Sequence, residues 1–344
     1  MNRQYGAMSG VAIVLIVLNH TVHFGFQAAP VSGIVRDVLT VLQMLGAFAV
    51  PTFLFISGAF VAYAARGKLT HPLKFIQHSV SRILWPYLFW SLVYYVVIFF
   101  VLKERYSGPG YVKNLLVGFP YHFIPLIIFY YILSPLLVKI GRRHGLLLLL
   151  AIGLYQLFLI FMQNPEWLGS FTPPGWTRFL IPPVLFNTMA DWAIFFPMGL
   201  VFSLHNKGLR PYLLHFKWVS VGIVIVLFSL AVLDNIFGLI SAPWLQYILP
   251  VAFMFVLPVI NRKSIPLLKQ FEKVGKRSYG VYLSHLVVLT LAVGLIQTYI
   301  PGLGAFPIIV YPLFFIIALG IPMFTMERLA RIAQTRKVYK YVFG

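Results

Sequence analysis

Ten long apolar stretches constrain this chain more than any other feature. They fall at roughly 8–28, 38–65, 83–102, 117–138, 145–163, 182–204, 217–238, 242–260, 279–300 and 306–326. Each approaches the ~20 residues that an α-helix needs to cross a bilayer. The runs are continuously apolar, not alternating, which argues against a β-barrel. Prolines stand inside several of them (Pro51, Pro86, Pro125, Pro197, Pro250 and Pro322). Membrane helices tolerate such prolines as kinks where neighbours re-satisfy the freed backbone. Composition agrees: 60% of the 344 residues are hydrophobic and 10% charged, against about 25% charged in a soluble domain. The expected fold is an all-α integral membrane protein, a bundle of about ten transmembrane helices over 1–326. A basic cytoplasmic tail follows at 327–344.

The formal net charge is +20. In a membrane protein that charge sets topology before it implies nucleic acid, and no nucleic-acid partner is expected. With the N-terminus placed inside, 22 of the 27 Lys and Arg residues fall in inner segments. The outer five are Arg36, Lys103, Arg105, Lys113 and Arg178. The asymmetry predicts cytoplasmic termini and a multi-pass protein of the inner or plasma membrane. The first apolar run lacks a small-residue cleavage site and reads as a retained span. The C-terminal ERLARIAQTRKVYKYVFG reads as a basic juxtamembrane helix on anionic lipid. Cysteine is absent, which removes disulfides and thiolate metal sites.

Against this apolar background a few polar residues stand out. His20 lies in SGVAIVLIVLNH, roughly 17 Å from the inner end of the first run at 1.5 Å per residue. An ionisable side chain at that depth is costly and marks a functional-site candidate. Imidazole suits general-base work near neutral pH. Asn19 and Thr21 flank it, and Asn19 is a candidate to orient the ring or stabilise an oxyanion. His23 makes an H-x-x-H pair with His20, but no carboxylate or cysteine completes a ligand set, so no metal is expected. Asp191, in TMADWAIFF, reads either as an orienter for a base or as an interfacial cap. His122, Ser57 and His285 complete a candidate polar path through the bundle. Arg82, Lys74, Lys276 and Arg277 fall on the cytoplasmic side as a candidate anion pocket, although an arginine at an inner helix end usually snorkels.

Several of these pieces occur together in order: GVAIVLIVLNH, PTFLFISGAF, SRILWPYLFW, YHFIPLIIFYYILSPLL, FFPMGLVF and RSYGVYLSHLVV. The set resembles the membrane acyltransferase 3 family, integral membrane O-acyltransferases that modify glycans and other acceptors. The resemblance covers nearly the whole chain. It implies an acyl-CoA donor, in the first place acetyl-CoA, bound from the cytoplasm. It also implies a hydroxyl acceptor, often on a sugar of the cell envelope, and a catalytic histidine matching His20. The family usually carries an arginine eleven residues before that histidine, where this chain has Ser9, and an acidic residue about where Gly6 stands. Eleven residues at 100° each return to within 20° of the same helix face. A serine cannot neutralise a phosphate, so the cation has to come from elsewhere, with Arg82 a candidate. Two rivals stay open on the same scaffold: an exporter of glycans or lipid-linked saccharides, and a catalytically inactive relative. Membrane lipid is an expected partner, and a homo-oligomer is left open.

Overall fold

The computed structural model describes residues 3–65, 72–169, 173–332 and 336–344. It is 86% helical, with no strand among the described residues. The helices are α1 (Arg3–Ala28), α2 (Gly33–Met44), α3 (Ala49–Ala64), α4 (Pro72–Val97) and α5 (Gly108–Val117). There follow α6 (Phe123–Gln163), α7 (Phe186–Trp192), α8 (Phe195–Leu204), α9 (Asn206–His215) and α10 (Lys217–Phe237). The last five are α11 (Leu245–Val256), α12 (Leu268–Gly275), α13 (Ser278–Tyr299), α14 (Pro307–Arg331) and α15 (Arg336–Phe343).

Among the described residues seven helical segments are long and apolar enough to cross a membrane, where the sequence led us to expect about ten. The difference has three sources. The stretches at 117–138 and 145–163 run together in α6, 41 residues long. At 1.5 Å per residue α6 is about 60 Å of helix, twice a hydrocarbon core. It breaks at His144, whose φ of −133° and ψ of 48° are not helical. The stretch at 182–204 divides into the short helices α7 and α8. The stretch at 242–260 contains α11, with Pro250 inside, and the 3₁₀ turn Leu257–Val259.

The chain separates into two compact units. The first comprises Met1–Phe53, Arg82–Ser107 and Phe216–Gly344. Here α1 packs against α12, α13, α14 and α2. Its buried positions lie all round the helix, as expected of an apolar helix enclosed by others. Small residues let α12 come close: a Cβ on Gly10 would overlap the backbone of Phe271, and one on Gly275 would overlap that of Gly6. In contrast, α10 is apolar along its length with no buried residue, the pattern of a lipid-facing helix.

Residues 327–344 comprise the last turn of α14 and, after three residues outside the described set, α15. Glu327 ties this region to α12 through Lys273 (3.1 Å) and pairs with Arg331 (2.7 Å). The read of a helix lying on lipid gains a second face, because α15 packs on α13 and α14. Phe343 is buried against Trp90 (ring centroids 5.8 Å) and Gly280, and the Trp90 indole N–H donates to Val342 O at 2.8 Å.

The second unit comprises Leu54–Ser81 and Gly108–His215. The backbones of α3 and α8 meet where Gly58 faces Phe196 and Gly199 faces Phe55, leaving no room for a Cβ at either glycine. In turn α6 packs on α7 and α8, with the Tyr130 and Phe196 rings stacked 4.8 Å apart. The gap between α7 and α8 frees backbone groups, and side chains of α6 take them up. Gln156 Nε2 donates to Ala190 O (2.9 Å), Gln156 Oε1 accepts from Ile194 N (2.8 Å), and Tyr130 OH donates to Ala193 O (2.5 Å). In an apolar surrounding such groups cannot be left unpaired cheaply.

Candidate functional site

In the first unit α1 carries His20 half-buried, between the half-buried Asn19 and the buried Thr21. Asn19 Nδ2 donates to Gln43 O at 2.9 Å, and Gly46 leaves the space its amide occupies. The amide thereby ties the α2–α3 corner to α1 one residue before His20. From the other side α13 supplies His285, whose ring centroid lies 5.2 Å from that of His20 with the planes inclined at 50°. His285 is fully buried. Its Nδ1 is 3.0 Å from Val281 O, one helical turn back, and its Nε2 is buried without a hydrogen-bond partner. Leaving such an atom unpaired costs about 1–3 kcal/mol. Tyr282 closes the same face of α13, its ring 5.9 Å from His285. Thr21 Oγ1 is likewise buried without a partner.

The cationic candidates of this unit gather at the start of α13. Arg277 immediately precedes that helix, and Tyr279 OH donates to Ile83 O at 2.7 Å, which sets Arg82 at the same end. A Cβ on Gly344 would lie 3.2 Å from Arg82 O, so the C-terminal residues reach this end too. Arg277 hydrogen-bonds the Tyr339 hydroxyl of α15; burial raises that phenol's pKa above its ordinary value, and the guanidinium opposes the rise. Lys276 is exposed and pairs with Glu272 at 3.1 Å. From Arg277 to His285 is eight residues, about 12 Å along the helix. Ser9 is buried on α1 between Gly6 and Gly10, the two residues against which α12 packs. The two close contacts run antiparallel, Gly10 against Phe271 and Gly6 against Gly275, so Ser9 lies within the α1–α12 contact.

The remaining candidates belong to the second unit. Ser57 is half-buried on α3 beside Gly58, where α8 makes its closest approach. Asp191 is half-buried on α7, next to the Ala190 carbonyl that Gln156 holds. His122 is exposed at the start of α6, its ring 6.0 Å from Phe119. Lys74 is exposed near the start of α4. The structure thus groups His20 with His285, and Arg82 with Arg277. Ser57, Lys74, His122 and Asp191 are spread over separate elements of their own unit.

Sequence reasoning passed over Tyr282 and Gln156. The signal for both was available: a hydroxyl one turn before a buried histidine, and an amide inside an otherwise apolar run. It also passed over the open groove of about 1210 Å³ in the second unit, lined by His205, Lys207, Arg210 and the leucines of α6, α8 and α9.

No curated protein and no solved structure matches this chain. A family model does: residues 7–327 match the acyltransferase domain of the acyltransferase 3 family. That match runs from the first turns of α1 to the end of α14 and takes in His20, Arg82, Arg277 and His285. The chain, with seven long apolar helices among its described residues, is a multi-pass membrane protein and belongs to the acyltransferase 3 family.

Proposed function

We propose that this protein is a membrane O-acyltransferase that moves an acyl group, acetyl in the first place, from cytoplasmic acyl-CoA to a hydroxyl of a glycan or similar envelope acceptor. The observation that carries the reading is His20, an imidazole inside the first apolar helix of an acyltransferase-family chain, against a second buried imidazole. His20 acts as general base: it takes the proton of the acceptor hydroxyl as the oxygen attacks the thioester carbonyl. Arg82 and Arg277 supply cations for the donor phosphates, with Lys74 and Lys276 as further inner cations. The 12 Å between Arg277 and His285 suits a ligand whose anionic end stays at the mouth while its reactive end reaches the imidazoles. Arg82 supplies the cation that the family arginine would give where this chain has Ser9. Asn19 is an orienting group for His20, while Asp191, Ser57 and His122 are proposed as orienting or lining groups within the second unit. The reading requires no metal.

The proposed topology has ten crossings. The two parts of α6 on either side of His144 count separately, α7 with α8 makes one crossing, and α11 with its 3₁₀ extension makes another. Both termini lie in the cytoplasm and the protein resides in the inner or plasma membrane.

The test is acyl-CoA turnover by the purified chain in detergent. Because the protein has no cysteine, a thiol reagent reads released CoA without protein background. Removal of a positioned general base typically costs about 10²–10⁴-fold. His20→Ala should lose turnover by that factor while still inserting and binding donor. Wild-type turnover in His20→Ala refutes the assignment.

A further inference from the structure

The lone pair inside α13 has a direction as well as a place. Val281 O can only accept, so the His285 Nδ1 that lies 3.0 Å away carries the ring proton. Nε2 is therefore left as an acceptor, buried and without a hydrogen-bond partner. The ring that bears it is 5.2 Å from His20. A histidine kept only for packing gains nothing from an acceptor of this kind, which an apolar side chain of similar volume would avoid.

We propose that His285 is a positioning residue for His20: its Nε2 accepts the His20 ring N–H, holding the other His20 nitrogen toward the acceptor hydroxyl. The inference rests on the reading of His20 as base. In the step it serves, the acceptor O–H bond breaks and its proton passes to His20. The acyl carbon–oxygen bond forms, the carbon–sulfur bond breaks, and the CoA thiolate leaves with the proton that His20 returns. Between those transfers His20 is an imidazolium among apolar helices. A neutral imidazole acceptor stabilises that cation without bringing a second charge into the bundle, where any charge is costly. The backbone bond at Nδ1 plays the part that an outer partner plays for any working histidine, fixing the tautomer so that the correct nitrogen faces the base. Such bonds are commonly long in an unloaded site and tighten with substrate in place.

The test compares four variants of the full chain on acetyl-CoA, with thiol release as the readout. His285→Phe keeps ring volume and removes the acceptor; His285→Gln returns an acceptor at similar reach. His285→Phe should lower kcat about 10²-fold with the KM for acetyl-CoA unchanged, and His285→Gln should recover at least tenfold of that loss. The double variant His20→Ala/His285→Phe should be no slower than His20→Ala alone, since groups that act as a unit are not additive. Turnover of His285→Phe within twofold of the parent overturns the inference, and so does an equal loss in the Phe and Gln variants. A dead His20→Ala with an active His285→Phe removes this inference alone. An active His20→Ala removes the reading it rests on as well.

Discussion

Gln156 offers a perturbation whose size can be worked from the structure. It is 5% exposed on α6, and its amide serves both sides of the gap between α7 and α8. Gln156→Leu preserves volume and removes both bonds at once, orphaning Ala190 O and Ile194 N. A buried polar group left unsatisfied costs about 1–3 kcal/mol in soluble proteins. Measured side-chain bonds between membrane helices are smaller, averaging ~0.6 kcal/mol with a maximum near 1.7, because the reference state finds other partners. Two bonds therefore predict a loss of roughly 1–4 kcal/mol. Gln156→Glu keeps an oxygen for Ile194 N but, as a carboxylate, buries an unpaired charge facing Ala190 O, so with its carboxyl ionised it should cost more than Gln156→Leu. The assay is an unfolding titration of purified protein from mild detergent into denaturing detergent. An unchanged midpoint for Gln156→Leu would refute the claim that this amide holds the interrupted helix together, and leave Tyr130 as its remaining tie.

Two further outcomes follow from the cationic end and from the charge pattern. Arg82→Ala should weaken acyl-CoA binding more than acceptor binding, measured by calorimetry on the detergent-solubilised chain. The difference should shrink at high salt, as for any partly solvated charge contact; an unchanged donor affinity would leave Arg82 with snorkelling as its role. For topology, reporter fusions after Phe161 and after Ile300 should report the outer side and a fusion after Lys207 the inner side. Lys207 exposed outside would break the proposed arrangement.

Much of this molecule is legible in the sequence because a bilayer narrows what an apolar run can become. With no water to satisfy the backbone, a long apolar run folds as helix, and helices occupy nearly all the stretches read from hydropathy. What the pattern hides is where helices stop. Across Lys139, Arg142 and Arg143 the hydropathy drops, which marks a boundary between two stretches; the backbone stays helical through those residues and breaks only at His144, so the boundary is one residue and not a loop. At Trp192–Phe195 the opposite happens: the run is apolar throughout, and the helix stops inside it. Its gap is affordable only because Gln156 and Tyr130, some forty and sixty residues earlier, supply the missing hydrogen bonds. No local pattern contains that information.

The candidate site divides along the same line. His20 was visible as a lone imidazole in an apolar helix, a statement about one residue and its immediate neighbours. Its pairing with His285 is a statement about two helices 265 residues apart in numbering, and helix contacts of this kind depend on small residues that hydropathy ranks as unremarkable. The glycines Gly6, Gly10 and Gly275 bring α12 onto the first turns of α1, and α13 begins three residues later. That close approach leads the chain into α13, which packs on α1 and carries His285 against His20. Bulk at Gly10 or Gly275 would meet the facing backbone and part α1 from α12, the helix that leads into α13, so these two glycines bear on the placing of His285 without touching a substrate.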